Sequence, residues 1–193
     1  KKQIVITGPN AAGKTTLLKT TTINIILSQQ LGLGFYRKCT LSPYSYIHCY
    51  LNIPDTSGRD SLFQAEARRC KEILDNIMKS NKNETHFCIF DELYSGTNPY
   101  EAVASSYSFL EFLTKQKNTT FMLTTHFIDL CDKLDKNYHV KNCHMEIETH
   151  DDDLKYKYKI LPGISNIKGG IKILKNLDYP EYILNKANQA LNS

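Results

Sequence analysis

Residues 6–27, ITGPNAAGKTTLLKTTTINIIL, change character twice within a few positions. The run QIVIT (3–7) is short and rich in β-branched residues, which reads as a buried strand. A turn containing Gly8 and Gly13 follows. From Gly13 to about Gln29, apolar residues recur at helical spacing through Leu17, Leu18, Ile23, Ile26 and Leu27. A strand, a glycine turn and a helix in this order either cradle an anion or merely carry a glycine pair and a lysine. Parts from distant places in the chain have to distinguish the two.

Moving outward, SLFQAEARRCKEILDNIMKS (61–80) has the pattern of an amphipathic helix, and HFCIFDEL (86–93) that of a buried strand ending on two acids. Asn98-Pro99 opens a helix expected to run to about Lys117, and TTFMLTTH (119–126) is a third buried strand. The aromatic stretch GFYRKCTLSPYSYIHCYLNIPD (34–55) predicts two strands broken at Pro43. After His126, YHVKNCHMEIET and LKYKYKIL read as strands around the acidic turn HDDD (150–153). LPGISNIKGG (161–170) is a loop, and short helices follow near 171–177 and 180–191, the second entered through Pro180. Alternating strands and helices predict an α/β fold, a mixed or parallel central sheet with helices on both faces.

At 193 residues the chain fits one domain, long enough to bury a core without disulfides. A composition 41% apolar and 23% charged is globular rather than disordered. A net charge of +4 is too small to argue for nucleic acid by itself. The six cysteines form no C-x-x-C pair, so reduced thiols and an intracellular protein are expected. Cys143-His144 with His150 is the nearest approach to a metal cluster, and reads better as ordinary loop residues. No apolar run is long enough to span a membrane, and no signal peptide is visible. The start at Lys1 without a methionine suggests a fragment cut at a domain edge.

Residues 8–15, G-P-N-A-A-G-K-T, fit G-x-x-x-x-G-K-[ST] at every fixed position. A turn of small residues (Gly8, Pro9, Asn10, Ala11, Ala12, Gly13) lets backbone N–H groups close around phosphate oxygens. The helix beginning there, with Thr16 in its first turn, points its positive end at the anion. Lys14 supplies a charge to the β- and γ-phosphates, and Thr15 a hydroxyl to Mg²⁺. Hydrolysis also needs a carboxylate at a neighbouring strand end and a group to orient water. FCIFDE (87–92) offers Asp91 for the metal and Glu92 for the water, adjacent residues of an extended strand end pointing to opposite sides. Adjacent acids after the strand favour ABC-type ATPases over small GTPases, and no N-K-x-D motif reads guanine, so ATP is expected. His126, 34 residues after Glu92 and at the end of the third strand, is placed to reach the γ-phosphate.

ITGPNAAGKTT, FDELYSGTNPYEA and TTHF together resemble the ATPase domain of the MutS family, where the loop reads close to TGPNMGGKST and the acid strand close to DEIGRGTST. SGRDSLFQAEA (57–67) is similar to the family's S-G-R-S-T-F-x-x-E segment, and residues 162–191 to its C-terminal segment. The resemblance covers nearly the whole chain in order. It implies that Asn10 lies beside the γ-phosphate and that Ser61 reaches the ATP of a second MutS-like subunit, giving a composite site. Ser61 also reads as the N-cap of the following helix, and the two roles are compatible. Tyr158 falls where the family places an aromatic near adenine, although it can equally be one of several strand tyrosines. By the same resemblance, 1–162 form an ABC-type ATPase core, and 163–193 a helix-turn-helix segment for pairing with an identical or paralogous subunit. DNA would be held by upstream domains absent from this chain. Asn98-Pro99 in place of Ser-Thr, NIKGG in place of a serine-tyrosine-glycine run, and an extra residue before Ser61 mark a divergent branch. Phe109-Leu110-Glu111 carries the letters of the family's mismatch-reading motif but lies in a core helix and has no DNA role. A transporter-type ATPase would show an LSGGQ-like signature, which is missing. A nucleotide-dependent dimerisation module with little turnover is the alternative.

Overall fold

The computed structural model describes residues 3–51, 61–150, 153–165 and 170–192. β1 (Gln3–Thr7) runs into α1 (Lys14–Leu31), and β2 (Tyr46–Tyr50) is followed by α2 (Leu62–Lys79). β3 (His86–Asp91), α3 (Pro99–Thr114), β4 (Thr119–Thr125) and α4 (Ile128–Asp135) come next. β5 (Val140–His150) and β6 (Asp153–Pro162) pair with each other, and α5 (Gly170–Asn176) and α6 (Glu181–Asn192) end the chain. The strands form one sheet in the order β2-β3-β4-β1-β5-β6, parallel except for the antiparallel β5–β6 pair.

Alternation along the strands sorts side chains to two faces, and each face has its own core. Ile6, Phe87, Ile89 and Met122 pack with Ala12 and Leu18 of the first crossover. Val5, Cys88, Phe90, Phe121 and Leu123 face α2, α3 and α4, through Cys70, Ile73, Leu110, Leu113, Leu130 and Leu134. Helices therefore cover both faces. Phe90 sits at the centre of the larger core, its ring 5.5 Å from Phe109 and 6.3 Å from Phe121. Each such buried side chain contributes about 1.5–3 kcal/mol.

The helices begin where their caps dictate. Ser61 is the N-cap of α2: its hydroxyl accepts from Gln64 N–H at 3.3 Å, while the Gln64 side chain accepts from Ser61 N–H at 2.9 Å. Asn98 caps α3 by accepting from Glu101 N–H at 3.0 Å, with Pro99 at the first helical position.

Three readings change. Only one strand lies between residues 34 and 51, not two broken at Pro43. Upstream of β2, the backbone of Tyr44 is bonded on both sides by the Gln29 amide, at 3.1 and 3.3 Å, which takes the place of a strand ladder. α4 was not foreseen: its eight residues are too few for periodicity to separate from a loop. The helix from Asn98 also ends at Thr114 rather than near Lys117. Residues 57–60 of the SGRDSLFQAEA segment, 151–152 of the acidic turn and 166–169 of NIKGG lie outside the described residues.

Candidate nucleotide site

Three loops meet at the carboxyl edge of the parallel strands, where β1, β4 and β3 are neighbours, the edge at which such sheets take their ligands. The loop after β1 is held in shape by its own backbone. Ala11 at φ 64° and Gly13 at φ 91° are left-handed, and Gly13 is the N-cap of α1 without a side-chain cap. The first turn of α1 thus presents backbone N–H groups uncapped by a side chain, a setting suited to an anion. Gly8 and Ala12 are buried, Asn10, Ala11 and Thr16 are exposed, and Pro9 is in between.

Lys14 is buried and folds back over this loop, donating to the carbonyls of Gly8 at 2.8 Å and Pro9 at 3.1 Å. Burial lowers its ammonium below the ordinary lysine range, while Glu92 and then Asp91 pull in the opposite direction. Thr15 Oγ1 donates to both Asp91 oxygens, at 2.9 and 3.1 Å, and the Thr124 hydroxyl also binds Asp91 Oδ1. One carboxylate and one hydroxyl, both hard oxygen donors, are a donor set that fits a magnesium ion, which keeps most of its shell as water. Among the described residues no group of three or more His, Cys, Asp and Glu is arranged for a metal.

Glu92 does not continue the strand. Its φ of 56° is left-handed, so the picture of two acids alternating on an extended end is replaced by a sharp turn after Asp91. The turn is fixed by Glu92 N–H donating to Thr124 O at 3.1 Å. It brings Glu92 Oε1 within 3.5 Å of His126 Nδ1, long for a hydrogen bond and close for charges. His126 is the largest influence on Glu92 and holds its carboxyl below the usual range, against the opposite effect of burial; Lys14 adds in the same direction.

Tyr158, 68% exposed, sits at φ 53° where β6 bulges: between Met145↔Ile160 and Ile147↔Tyr156, three β6 residues oppose Glu146 alone. The bulge lays the ring on the loop after β1, so that a Cβ at Gly13 would be 3.1 Å from Tyr158 Cδ1. Ser61 is elsewhere. It is exposed at the start of α2, and among the described residues no hydrogen bond or ion pair joins it to residues 8–16.

Five described non-glycine residues have positive φ, and Ala11, Glu92, Tyr94 and Tyr158 all lie at or beside this edge; the fifth is Asp178. Such strain costs of order 1–3 kcal/mol per residue and persists where surroundings enforce it. Thr124 was missed from sequence, although its signal was there: a hydroxyl near the end of the third buried strand, two residues before His126, and the sheet pairs Thr124 directly with Asp91. Glu66 was also missed as a participant, and its signal was an acid on the apolar stripe of α2.

A doubly wound sheet with a glycine loop opening the first helix and an acid ending a nearby parallel strand is the architecture of P-loop nucleotide-binding domains. A family model described as MutS domain V matches residues 4–193, and the chain belongs to that family. Endonuclease MutS2 of Clostridium kluyveri is 31% identical over 191 residues, covering 98% of this chain and 23% of the relative. DNA mismatch repair protein MutS of Orientia tsutsugamushi is 27% identical over 188 residues, 97% of this chain and 21% of the relative. DNA mismatch repair protein spellchecker 1 of Drosophila melanogaster is 25% identical over 190 residues, 97% of this chain and 20% of the relative. The chain thus spans about a fifth to a quarter of the length of these relatives. No helix among the described residues is long and apolar enough to cross a membrane.

Proposed function

We propose that this chain is the ATP-binding and ATP-hydrolysing domain of a divergent MutS-like protein of DNA mismatch repair or recombination, and that its ATP state controls how two subunits close and how upstream domains hold DNA. The observation that carries the reading is the convergence of Thr15 on Asp91 and of Glu92 on His126 at the mouth of the glycine loop. The domain match and the names of the relatives support the setting.

Each residue then has a task. Backbone N–H groups of residues 8–16 and the Lys14 ammonium bind the nucleotide phosphates, with Asn10 beside the γ-phosphate. Thr15 and Asp91 would hold magnesium, which would supply charge neutralisation at the phosphates. Glu92, kept ionised by its neighbours, orients and polarises the attacking water, and His126 steadies that carboxylate and reaches the γ-phosphate. Tyr158 offers an aromatic face beside the loop for the base. Ser61, exposed at the N-terminus of α2, completes the site of a second subunit. α5 and α6, with residues 163–193 around them, form the segment that docks on that subunit.

The test is ATP turnover against protein concentration, for this chain and for Glu92→Gln. A rate per subunit that rises with concentration, and falls about a hundredfold or more in the variant while Mg-ATP still binds, supports the composite site. A rate independent of concentration overturns the pairing. Tight Mg-ATP binding and nucleotide-dependent dimerisation without turnover would instead make this a binding module.

A further inference from the structure

Glu66 is an acid on the buried stripe of α2, 2% exposed and at helical spacing from Cys70, Ile73 and Ile77. A carboxylate in such a place is costly unless its oxygens are hydrogen-bonded. Three hydrogen bonds to it come from one short stretch, and the Tyr50 hydroxyl also bonds it. Oε1 accepts from Ser95 N–H at 3.0 Å and from the Ser95 hydroxyl at 2.8 Å, and Oε2 accepts from Gly96 N–H at 3.0 Å. That stretch begins three residues after Glu92 and leads into α3.

Packing seals the same contact. A Cβ on Gly96 would lie 2.7 Å from both Leu62 Cγ and the backbone nitrogen of Phe63, so only glycine lets the loop sit down on the first turn of α2. The Tyr94 ring lies 5.7 Å from that of Phe63, and Tyr94 N–H reaches the Tyr50 hydroxyl at 3.4 Å. The loop after Glu92 therefore rides on the start of α2, whose N-cap is Ser61.

We propose that Glu66 is a positioning residue that makes the loop after Glu92 and the N-terminus of α2 one rigid piece, so that a shift at Glu92 in a chain's own site moves Ser61 in the partner's site. The inference rests on the composite-site reading above. Coupling of this kind is reciprocal: occupancy at Ser61 by the partner's nucleotide biases Glu92 as strongly as the reverse.

The test is a double-mutant comparison of ATP turnover in the full-length protein, with wild type, Ser61→Ala, Glu66→Gln and the double variant. Glutamine keeps the shape of Glu66 but turns an amide N–H₂ toward one of the backbone donors. The expected result is a roughly tenfold lower kcat for Glu66→Gln, unchanged Mg-ATP affinity in the dilute single subunit, and no further loss when it is added to Ser61→Ala. If Ser61→Ala alone turns over like wild type, the composite site fails, whatever Glu66→Gln does. If Ser61→Ala is slow but the two losses multiply, or if Glu66→Gln leaves kcat unchanged or weakens Mg-ATP binding as much as it slows turnover, the coupling role is overturned and the composite site stands. Should Glu66→Gln not fold, Gly96→Ala, which forces the loop off α2 with the carboxylate intact, goes through the same comparison. A loss shared with Ser61→Ala supports the proposal, and a multiplying loss or no loss overturns it.

Discussion

At the scale of the residue, the site depends on backbone that most side chains resist. Gly13 carries a left-handed φ, and a Cβ there would press on the Tyr158 ring at 3.1 Å. Gly13→Ala is therefore expected to destabilise the domain by about 1–2 kcal/mol from conformation alone, with the displaced tyrosine adding to this. Chemical denaturation measures the stability loss. Fluorescent-nucleotide titration of the same variant should show affinity falling by at least about tenfold, because the first N–H groups of α1 no longer point together. Wild-type affinity in a folded Gly13→Ala protein would show that the loop tolerates another path. Glu92 illustrates how a residue's place can be legible while its geometry is not. Its place after an apolar strand marks it in the sequence, but its left-handed turn depends on Thr124 O of a strand more than thirty residues away.

At the scale of the element, β2 and β3 are joined by a buried imidazole pair as well as by their ladder. His48 Nε2 and His86 Nδ1 are 3.0 Å apart, His86 Nε2 is 2.8 Å from Ser80 Oγ, and Tyr46 stacks on His86 at 4.9 Å. Burial pulls His48 down to about 4, with His86 and then Arg69 adding to it. The folded chain therefore binds fewer protons here than the unfolded one. The contribution is fully present above about pH 6.5 and is lost as pH falls through 4. It amounts to about 3 kcal/mol between pH 7 and 4. Urea unfolding of wild type and His48→Phe across that range checks it: the variant should have a visibly flatter slope, and equal slopes would count against the assignment. Most elements were legible, because their signals are local: β-branched runs for β1 and β4, a capped amphipathic pattern for α2, Asn-Pro for α3. The extra strand expected before β2 was not there, since aromatic content alone does not supply a partner and Gln29 had taken the backbone groups. The candidate site was legible to the extent that its members end strands. The long-range contacts of Thr124 and Glu66 follow only from which strands and helices become neighbours.

At the scale of the molecule, the C-terminal helices stand apart in character. Ile173, Leu177, Tyr179, Tyr182 and Ile183 are all at least 41% exposed, a concentration of apolar side chains that a monomer has little reason to keep. Replacing Tyr182 and Ile183 with serine is expected to weaken subunit association by about tenfold or more while single-subunit nucleotide affinity stays the same. Sedimentation at several concentrations with Mg-ATP present reads the first, and nucleotide titration the second. Association unchanged by both substitutions would count against α5 and α6 as the docking surface of the proposed pairing. The outer strand of the sheet argues the complementary point. β6 ends the strand order, bulges at Tyr158, and carries Lys155, Lys157 and Lys159 along its length. An irregular rim studded with cations is a poor template for backbone pairing with another copy. Even in concentrated solution, copies of this chain should resist zipping into continuous fibrils from this rim, leaving side-chain surfaces to govern how they assemble.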